Sequence, residues 1–299
     1  MALLTSPFAR PTGQLTPDLE EFPAALVAIA DCPRALWYRG DLMAFRQPMV
    51  AIVGSRSATT VSLEIAARLA ESLAALGITI VSGLARGVDS AAHKGALRAG
   101  GRTIAVLGSG LDWIYPKEHE PLAAEIARDG LLVTEYPPAL PPAPFHFPLR
   151  NRIISGLSRA VVVIEASERS GSLITASCAL EQGREVMAVP GNALTGRNRG
   201  GHALIRDGAK IVETADDIVS EPGLFPAPPA PGRDRPTDAG SKISGDPVLR
   251  AMDEGHPYDV DALAAASGLD GARLLPRLID LELQGSIRRA PGGRFIRTI

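Results

Sequence analysis

From residue 49 onward the chain alternates between short, continuous apolar runs and longer segments in which apolar residues return every three or four positions. Most of the runs at 49–53, 78–82, 103–107, 131–134, 160–164, 185–189 and 209–213 are continuously apolar and lack the in-out alternation of a half-exposed strand. They predict strands buried on both faces. The segments between them, at 59–75, 88–99, 118–128, 150–157, 172–182 and 200–207, predict helices. Strand and helix in strict succession imply an α/β fold, a doubly wound, mostly parallel sheet with helices on both faces. Ahead of this repeat, Phe22–Ile29 reads as a short helix and "ALWYRGD" as a short strand and turn. Residues 1–48 are read as a short N-terminal extension to a domain spanning 49–220.

The connections are asymmetric. Helix-to-strand turns are brief and marked by glycine ("LGI", "AGGR", "EQGR", "RDGA"), whereas strand-to-helix loops are longer and richer in chemistry. The latter include "GSRSATT", "SGLARGVD", "GSGLDWIYPKE", "EYPPALPPAPFHFPLRNR", "EASERSGS" and "PGNALTGRNRGG". In an open parallel sheet these all emerge at the carboxyl ends of the strands, the edge where such folds bind ligands.

Near residue 221 the periodicity stops. The stretch 221–246, rich in Pro, Gly and Ala, reads as an extended linker. Residues 247–299 then predict helices near 247–253, 259–266 and 271–283, followed by a hairpin turning on Pro291-Gly292-Gly293. Three helices and a β-wing suggest a small C-terminal winged helix. Pro276 is tolerable in that third helix if it falls in the first turn. Seven arginines face eight acids in this part, counting Asp246, and lysine is absent, so charge argues against a duplex-DNA reader. Arg288 and Arg289 are its local basic cluster.

Composition narrows the class. The chain has 299 residues, 45% hydrophobic and 21% charged, with a net charge of −2, so any polyanion site must gather its cations locally. Two cysteines, Cys32 and Cys178, give no disulfide framework, and no Cys/His set has metal-ligand spacing. No run is long and apolar enough to span a membrane, and a cytoplasmic protein without cofactor or metal is the expectation.

What the carboxyl edge could hold follows from its loops. Gly54-Ser55-Arg56 ends a buried strand and precedes a helix, an arrangement that offers backbone N–H groups and a guanidinium to a phosphate. Basic residues recur in the same set of loops: Arg56, Arg86, Lys117, Arg150, Arg152, Arg169, Arg197 and Arg199. At the opposite edge Arg102, Arg128, Arg184 and Arg206 stand singly, often beside an acid. A dinucleotide site would need G-x-G-x-x-G and an acid after the second strand, and neither is present; nor is G-x-x-x-x-G-K-[ST]. A Ser-His-acid set drawn from Ser170, His93, His119, His146, Asp89, Glu135 and Glu165 lacks a nucleophile elbow. The fourth loop carries a stiff proline run, Phe145, Phe147, Arg150, Asn151 and Arg152. A phenylalanine exposed beside arginines would suit a stacked base with its phosphate, the way single strands are held; a ring buried beneath the loop is the alternative.

The segments "GSRSAT" (54–59), "SGLARGVDSAAHKGAL" (82–97), "AVLGSGLDWIYPKEH" (105–119), "TEYPP" (134–138), "FPLRNRIISGLS" (147–158), "VVVIEASERSGSLITASCALEQGREVMAVPG" (161–191) and "LIRDGAKIV" (204–212) closely resemble the DNA-processing protein A (DprA, or Smf) family. The resemblance implies a Rossmann-like domain that binds single-stranded DNA, loads the RecA recombinase onto it in natural transformation, acts as a homodimer, and is not an enzyme. It assigns phosphate binding to Gly54, Ser55 and Arg56, and the strand-binding rim to Phe147, Arg150 and Asn151. Ser170, Gly171, Ser172 and Thr175 would form the helix start beside it, and Arg86 and Lys117 join the same interface as loop cations. Where relatives carry a basic residue ahead of the Phe-Pro step, this chain has Pro144-Phe145-His146, which leaves His146 for that contact. An alternative is a nucleotide-processing enzyme of the lysine-decarboxylase-like phosphoribohydrolase type. Where their P-G-G-x-G-T-x-x-E signature would stand, this chain reads "SERSGSLITASCALE", with too few glycines and with Glu181 well beyond the expected spacing.

Overall fold

The computed structural model describes residues 12–225, 246–252, 257–283, 286–290 and 294–297. They fall into two units, divided between Pro229 and Ala230. In chain order the first contains β1 (Thr12–Leu15), α1 (Ala24–Val27), β2 (Leu36–Gly40), β3 (Met49–Val53), α2 (Thr60–Ala75), β4 (Thr79–Ser82), α3 (Val88–Arg98), β5 (Thr103–Val106) and α4 (Glu120–Asp129). It continues with β6 (Leu131–Thr134), α5 (His146–Leu157), β7 (Ala160–Val163), α6 (Gly171–Glu181), β8 (Glu185–Ala188), α7 (Arg199–Arg206), β9 (Lys210–Ile211) and α8 (Ala215–Val219).

Every residue of β3, β4, β5, β6 and β7 is buried, as their largely apolar sequences require, the only polar side chains being the hydroxyls at the strand ends, Thr79, Ser82, Thr103 and Thr134. The strands form one nine-stranded sheet in the order β1-β2-β6-β5-β4-β3-β7-β8-β9. From β6 to β9 all neighbours are parallel. Alternate side chains of each strand feed opposite layers. Ala51, Val53, Val81 and Val163 pack with residues of α1, α5 and α6, whereas Val50, Ile52 and Ile80 pack with α2 and α3. Leu73 of α2 is fully buried there; its truncation to Ala would cost about 2–5 kcal/mol. This is the doubly wound, Rossmann-like arrangement.

The sheet also reaches into the segment ahead of Met49. β2 runs antiparallel to β6, pairing Trp37 with Thr134 and Gly40 with Leu131, and β1 adds outside it. α5 begins at His146, four residues earlier than the apolar pattern indicates, because its first turn carries Phe147 and Pro148 toward the site and not toward the core.

The second unit contains α9 (Pro247–Arg250), β10 (Pro257–Tyr258), α10 (Val260–Ser267), α11 (Gly271–Leu283), β11 (Ile287–Ala290) and β12 (Arg294–Arg297). Its strands order as β10-β12-β11 around a core of Val248, Leu263, Leu274, Leu278, Leu281 and Phe295, a winged helix. α11 starts at Gly271 and ends at Leu283, the bounds read from the sequence, so Pro276 stands past the first turn and the helix continues through it. The expected hairpin turn at 291–293 and most of the linker, 226–245, lie outside the described residues.

Candidate functional site

Chain order along the sheet reverses between β3 and β7, and the loops leaving these two strands part at that point. A crevice at the carboxyl ends is the consequence. Its two sides are tied together. The N–H of Ser55 donates to the Glu165 carbonyl at 2.7 Å. The Glu165 carboxylate, 4% exposed, accepts at Oε2 from the Thr59 N–H (3.2 Å), Thr59 Oγ1 (2.9 Å) and Ser62 Oγ (2.7 Å). Burial raises its pKa, but the hydrogen bonds from Ser62 and Thr59 prevail and hold it below the ordinary glutamate value. Glu165 therefore sits ionised on the first turn of α2 and fixes the Gly54–Thr59 turn. Arg197 adds a bond from Nη1 to the Ser57 carbonyl at 2.9 Å.

The loop after β4 packs on the same turn. Val88 N donates to Ser55 O at 3.2 Å. Gly87, at φ +75°, lies so close to the carbonyls of Ser55 and Arg56 that a side chain there would collide with backbone. A left-handed conformation with no room for Cβ is a glycine requirement.

Between these loops and α5 and α6 opens a cavity of about 680 Å³. Ten of the twelve residues read from the sequence line it: Gly54, Ser55, Arg56, Phe147, Arg150, Asn151, Ser170, Gly171, Ser172 and Thr175. Arg86 and Lys117 do not. Ser170 caps α6, its Oγ accepting from the Ser172 N–H at 3.3 Å, so the positive end of that helix borders the cavity.

The two arginines differ in role. Arg56 is exposed and has no hydrogen bond or ion pair among the described residues; its guanidinium carbon lies 5.7 Å from the Phe147 ring centroid. Arg150, expected on the rim, is instead 4% exposed. Its Nη1 donates to the carbonyls of Gly83 (2.9 Å) and Val106, at the ends of β4 and β5, and its Nε has no partner. A Cβ on Gly83 would stand 2.5 Å from Arg150 Nη2, so the guanidinium needs that glycine. Burial lowers the Arg150 pKa to about 10, with Asp89 opposing and Arg56 reinforcing the shift, and the group remains cationic at neutral pH. Asp89, buried and accepting from the N–H groups of Gly83 (3.1 Å) and Ala85 (3.3 Å), has its pKa pushed up by burial. Two guanidinium groups thus share one cavity with a single buried carboxyl group, Asp89, an arrangement suited to an anion.

Asn151, also buried, donates from Nδ2 to Gly171 O at 3.2 Å and links α5 to the start of α6. Phe147 is half-buried. It rests on Gly108, where a Cβ would meet its Cδ1 at 2.7 Å, and against Tyr115, with centroids 5.4 Å apart. His146 does not replace the missing basic residue. Its ring is buried against Tyr136 at 4.2 Å, and Nδ1 accepts from the Ala143 N–H at 3.2 Å.

The pieces of a Ser-His-acid set are engaged elsewhere. His93 bonds Thr103, His119 bonds the Leu84 carbonyl, and Ser170 pairs with Ser172. Glu181 is exposed near the far end of α6 and does not line the cavity, which removes the acid that the phosphoribohydrolase alternative would use. No group of three potential metal ligands occurs among the described residues, and none of their helices is long and apolar enough to cross a membrane.

Sequence reasoning passed over Tyr115 and Asn198. Tyr115 lines the cavity; an aromatic residue in a carboxyl-edge loop was its signal. Asn198 is 3% exposed and joins the loops after β7 and β8, Oδ1 accepting from Ala166 N (3.0 Å) and Nδ2 donating to Val189 O (2.9 Å). An asparagine among loop arginines gives no sign of that.

Residues 14–223 match the family model for DNA recombination-mediator protein A, and residues 226–293 match the DprA winged helix domain. Among curated proteins, Protein Smf of Escherichia coli is 43% identical over 289 residues, covering 95% of this chain and 77% of that protein. DNA processing protein DprA of Streptococcus pneumoniae is 47% identical over 200 residues, covering 67% and 71%. The X-ray structure of the Streptococcus pneumoniae protein is similar at a TM-score of 0.68, with 44% identity over 72% of this chain and 75% of that one. DNA processing protein A from Helicobacter pylori, described for its single-stranded DNA binding mode, is similar at a TM-score of 0.64. It is 32% identical over 71% of this chain and 95% of that one.

Proposed function

The chain belongs to the DNA recombination-mediator protein A family, and from that premise we propose that it binds single-stranded DNA at the carboxyl edge of its sheet. It then delivers the RecA recombinase to the bound strand as a non-catalytic mediator, as in natural transformation. The observation that carries the binding reading is the juxtaposition of Arg56, Phe147 and Arg150 at one cavity. An uncompensated guanidinium beside an aromatic ring, over a cationic floor, is a site for a phosphate and its base. Cavity and rim lie where Gly54 and the start of α6 can add backbone donors and Ser55 its hydroxyl.

The experiment is equilibrium binding of a labelled oligonucleotide, single-stranded against duplex, at two salt concentrations. Tighter binding of the single strand, weakening with salt, is expected. A preference for duplex would transfer the function to the winged helix. RecA delivery is read by the lag in strand-dependent ATP hydrolysis by RecA on oligonucleotide precoated with single-strand-binding protein; the chain should shorten it. A homodimer is proposed through α7 and β9, since β9 ends the sheet and Ile211 is half exposed there. Analytical ultracentrifugation of wild type and Ile211→Glu tests that contact.

A further inference from the structure

Two cations read as part of the interface, Arg86 and Lys117, do not line the cavity, whereas Tyr115, two residues before Lys117 in the chain, does. Tyr115 is 47% exposed, and its ring leans on Phe147 at 5.4 Å with 44° between planes. Rings in direct contact leave no slot for a base between them. Phe147 is further enclosed by Gly108 and by the Arg56 guanidinium. A strand leaving the cavity on this side therefore next meets the free surface of Tyr115.

The loops bring cations to the same place. His119 Nδ1 lies 2.9 Å from the Leu84 carbonyl, and Arg86 pairs with Glu118 in a fork, Nε–Oε1 2.6 Å and Nη2–Oε2 2.8 Å. These contacts fasten the loop after β4 to the short 3₁₀ turn Lys117–His119, which follows Tyr115 by two residues. Arg86 and Glu118 are each more than half exposed, and such pairs are weak. A phosphate offers the same two-oxygen acceptor as the carboxylate and can take its place. Lys117 is exposed and has no partner among the described residues.

We propose that Tyr115, Arg86 and Lys117 form a second nucleotide subsite at the edge of the cavity, in which the exposed face of Tyr115 stacks one base of a single strand and Arg86, released from Glu118, holds the adjoining phosphate. The subsite rests on the single-strand reading of the cavity and extends it by one nucleotide along the loop after β5.

The test compares wild type, Tyr115→Ala, Tyr115→Phe and Glu118→Gln for binding of a ten-residue oligothymidylate and, by competition, a thymidine dinucleotide carrying a 5′-phosphate. Tyr115→Ala should weaken the decamer about five- to one-hundred-fold, the range for loss of one stacking ring, and weaken the dinucleotide, which feels only the lost cavity wall and the lost support of Phe147, by a clearly smaller factor. Tyr115→Phe should restore the decamer. Glu118→Gln, an exposed change that does not threaten folding, should tighten the decamer and steepen its salt dependence. Equal losses for both ligands in Tyr115→Ala would reduce Tyr115 to a wall of the cavity and overturn the proposal. So would unchanged decamer binding in Tyr115→Ala or in Glu118→Gln. Wild type that binds neither ligand would instead sink the single-strand reading itself.

Discussion

The guanidinium carbon of Arg56 stands 5.7 Å from the centroid of the Phe147 ring, and no carboxylate among the described residues balances its charge. An exposed cation on such a ring is worth about 0.5–1 kcal/mol, whereas a charge-assisted hydrogen bond to phosphate is worth about 1.5–3 kcal/mol. The phosphate should win. Arg56→Ala is expected to weaken single-strand binding by about 1–3 kcal/mol for any base sequence and to reduce the salt slope by about one counterion. Titrations at several salt concentrations measure both. A folded variant with wild-type affinity would remove Arg56 from the interface.

Gly171 opens α6 on the cavity wall, and a Cβ built there meets nothing within 4 Å. This glycine leaves space open and avoids no clash. Gly171→Leu should therefore fold normally, with a melting midpoint within a few degrees of wild type, while filling part of the cavity and lowering single-strand affinity at least ten-fold. Retained affinity would mean that the ligand does not use this wall.

The sheet was legible because its central strands are buried on both faces, so their sequences carry no polar interruption. β1 was not, since "TGQL" is short, polar and paired only at an edge. The same logic explains the site. Gly54, Arg56 and Ser170 are marked by their position between a strand and a helix. The inward turn of Arg150 is not, because it depends on carbonyls of Gly83 and Val106 that are 67 and 44 residues away in sequence. Arginine in a loop looks the same whether it faces solvent or closes the ends of two strands.

His93 is fully buried, and its proton can be placed. Thr103 Oγ1 donates to the Ile80 carbonyl at 2.7 Å, so it must accept from His93 Nδ1, also 2.7 Å away. Nε2 is then bare and without a partner. Protonation there would bury an unpaired N–H near His119 and Arg150. Burial first, then those two charges, lower the His93 pKa to about 3. The folded pKa lies below the unfolded value, so the stabilisation is fully present above about pH 6.5 and is lost as pH falls toward 3. The loss is about 1.4 kcal/mol per pH unit within that window. Urea unfolding at pH 7 and pH 5 should show His93→Leu with a distinctly flatter pH dependence than wild type. Parallel curves would place the sensitive group elsewhere.

Arg150 separates structure from binding. Its Nη1 serves two carbonyls at the ends of β4 and β5, and each such bond to a charged donor contributes about 1.5–3 kcal/mol. Arg150→Met fills most of the volume but leaves both carbonyls without that donor and Asp89 without its counter-charge. A destabilisation of about 3 kcal/mol is expected, lowering the melting midpoint by about 6–12 °C for a domain of this size. Arg150→Lys keeps the charge but not the fork, so it should recover binding more fully than stability. Arg56→Ala, by contrast, should leave the midpoint in place while weakening the single strand. Calorimetry beside oligonucleotide titration separates the two behaviours. A midpoint unchanged in Arg150→Met would show that the strand ends are held by other contacts and that Arg150 acts on the ligand alone.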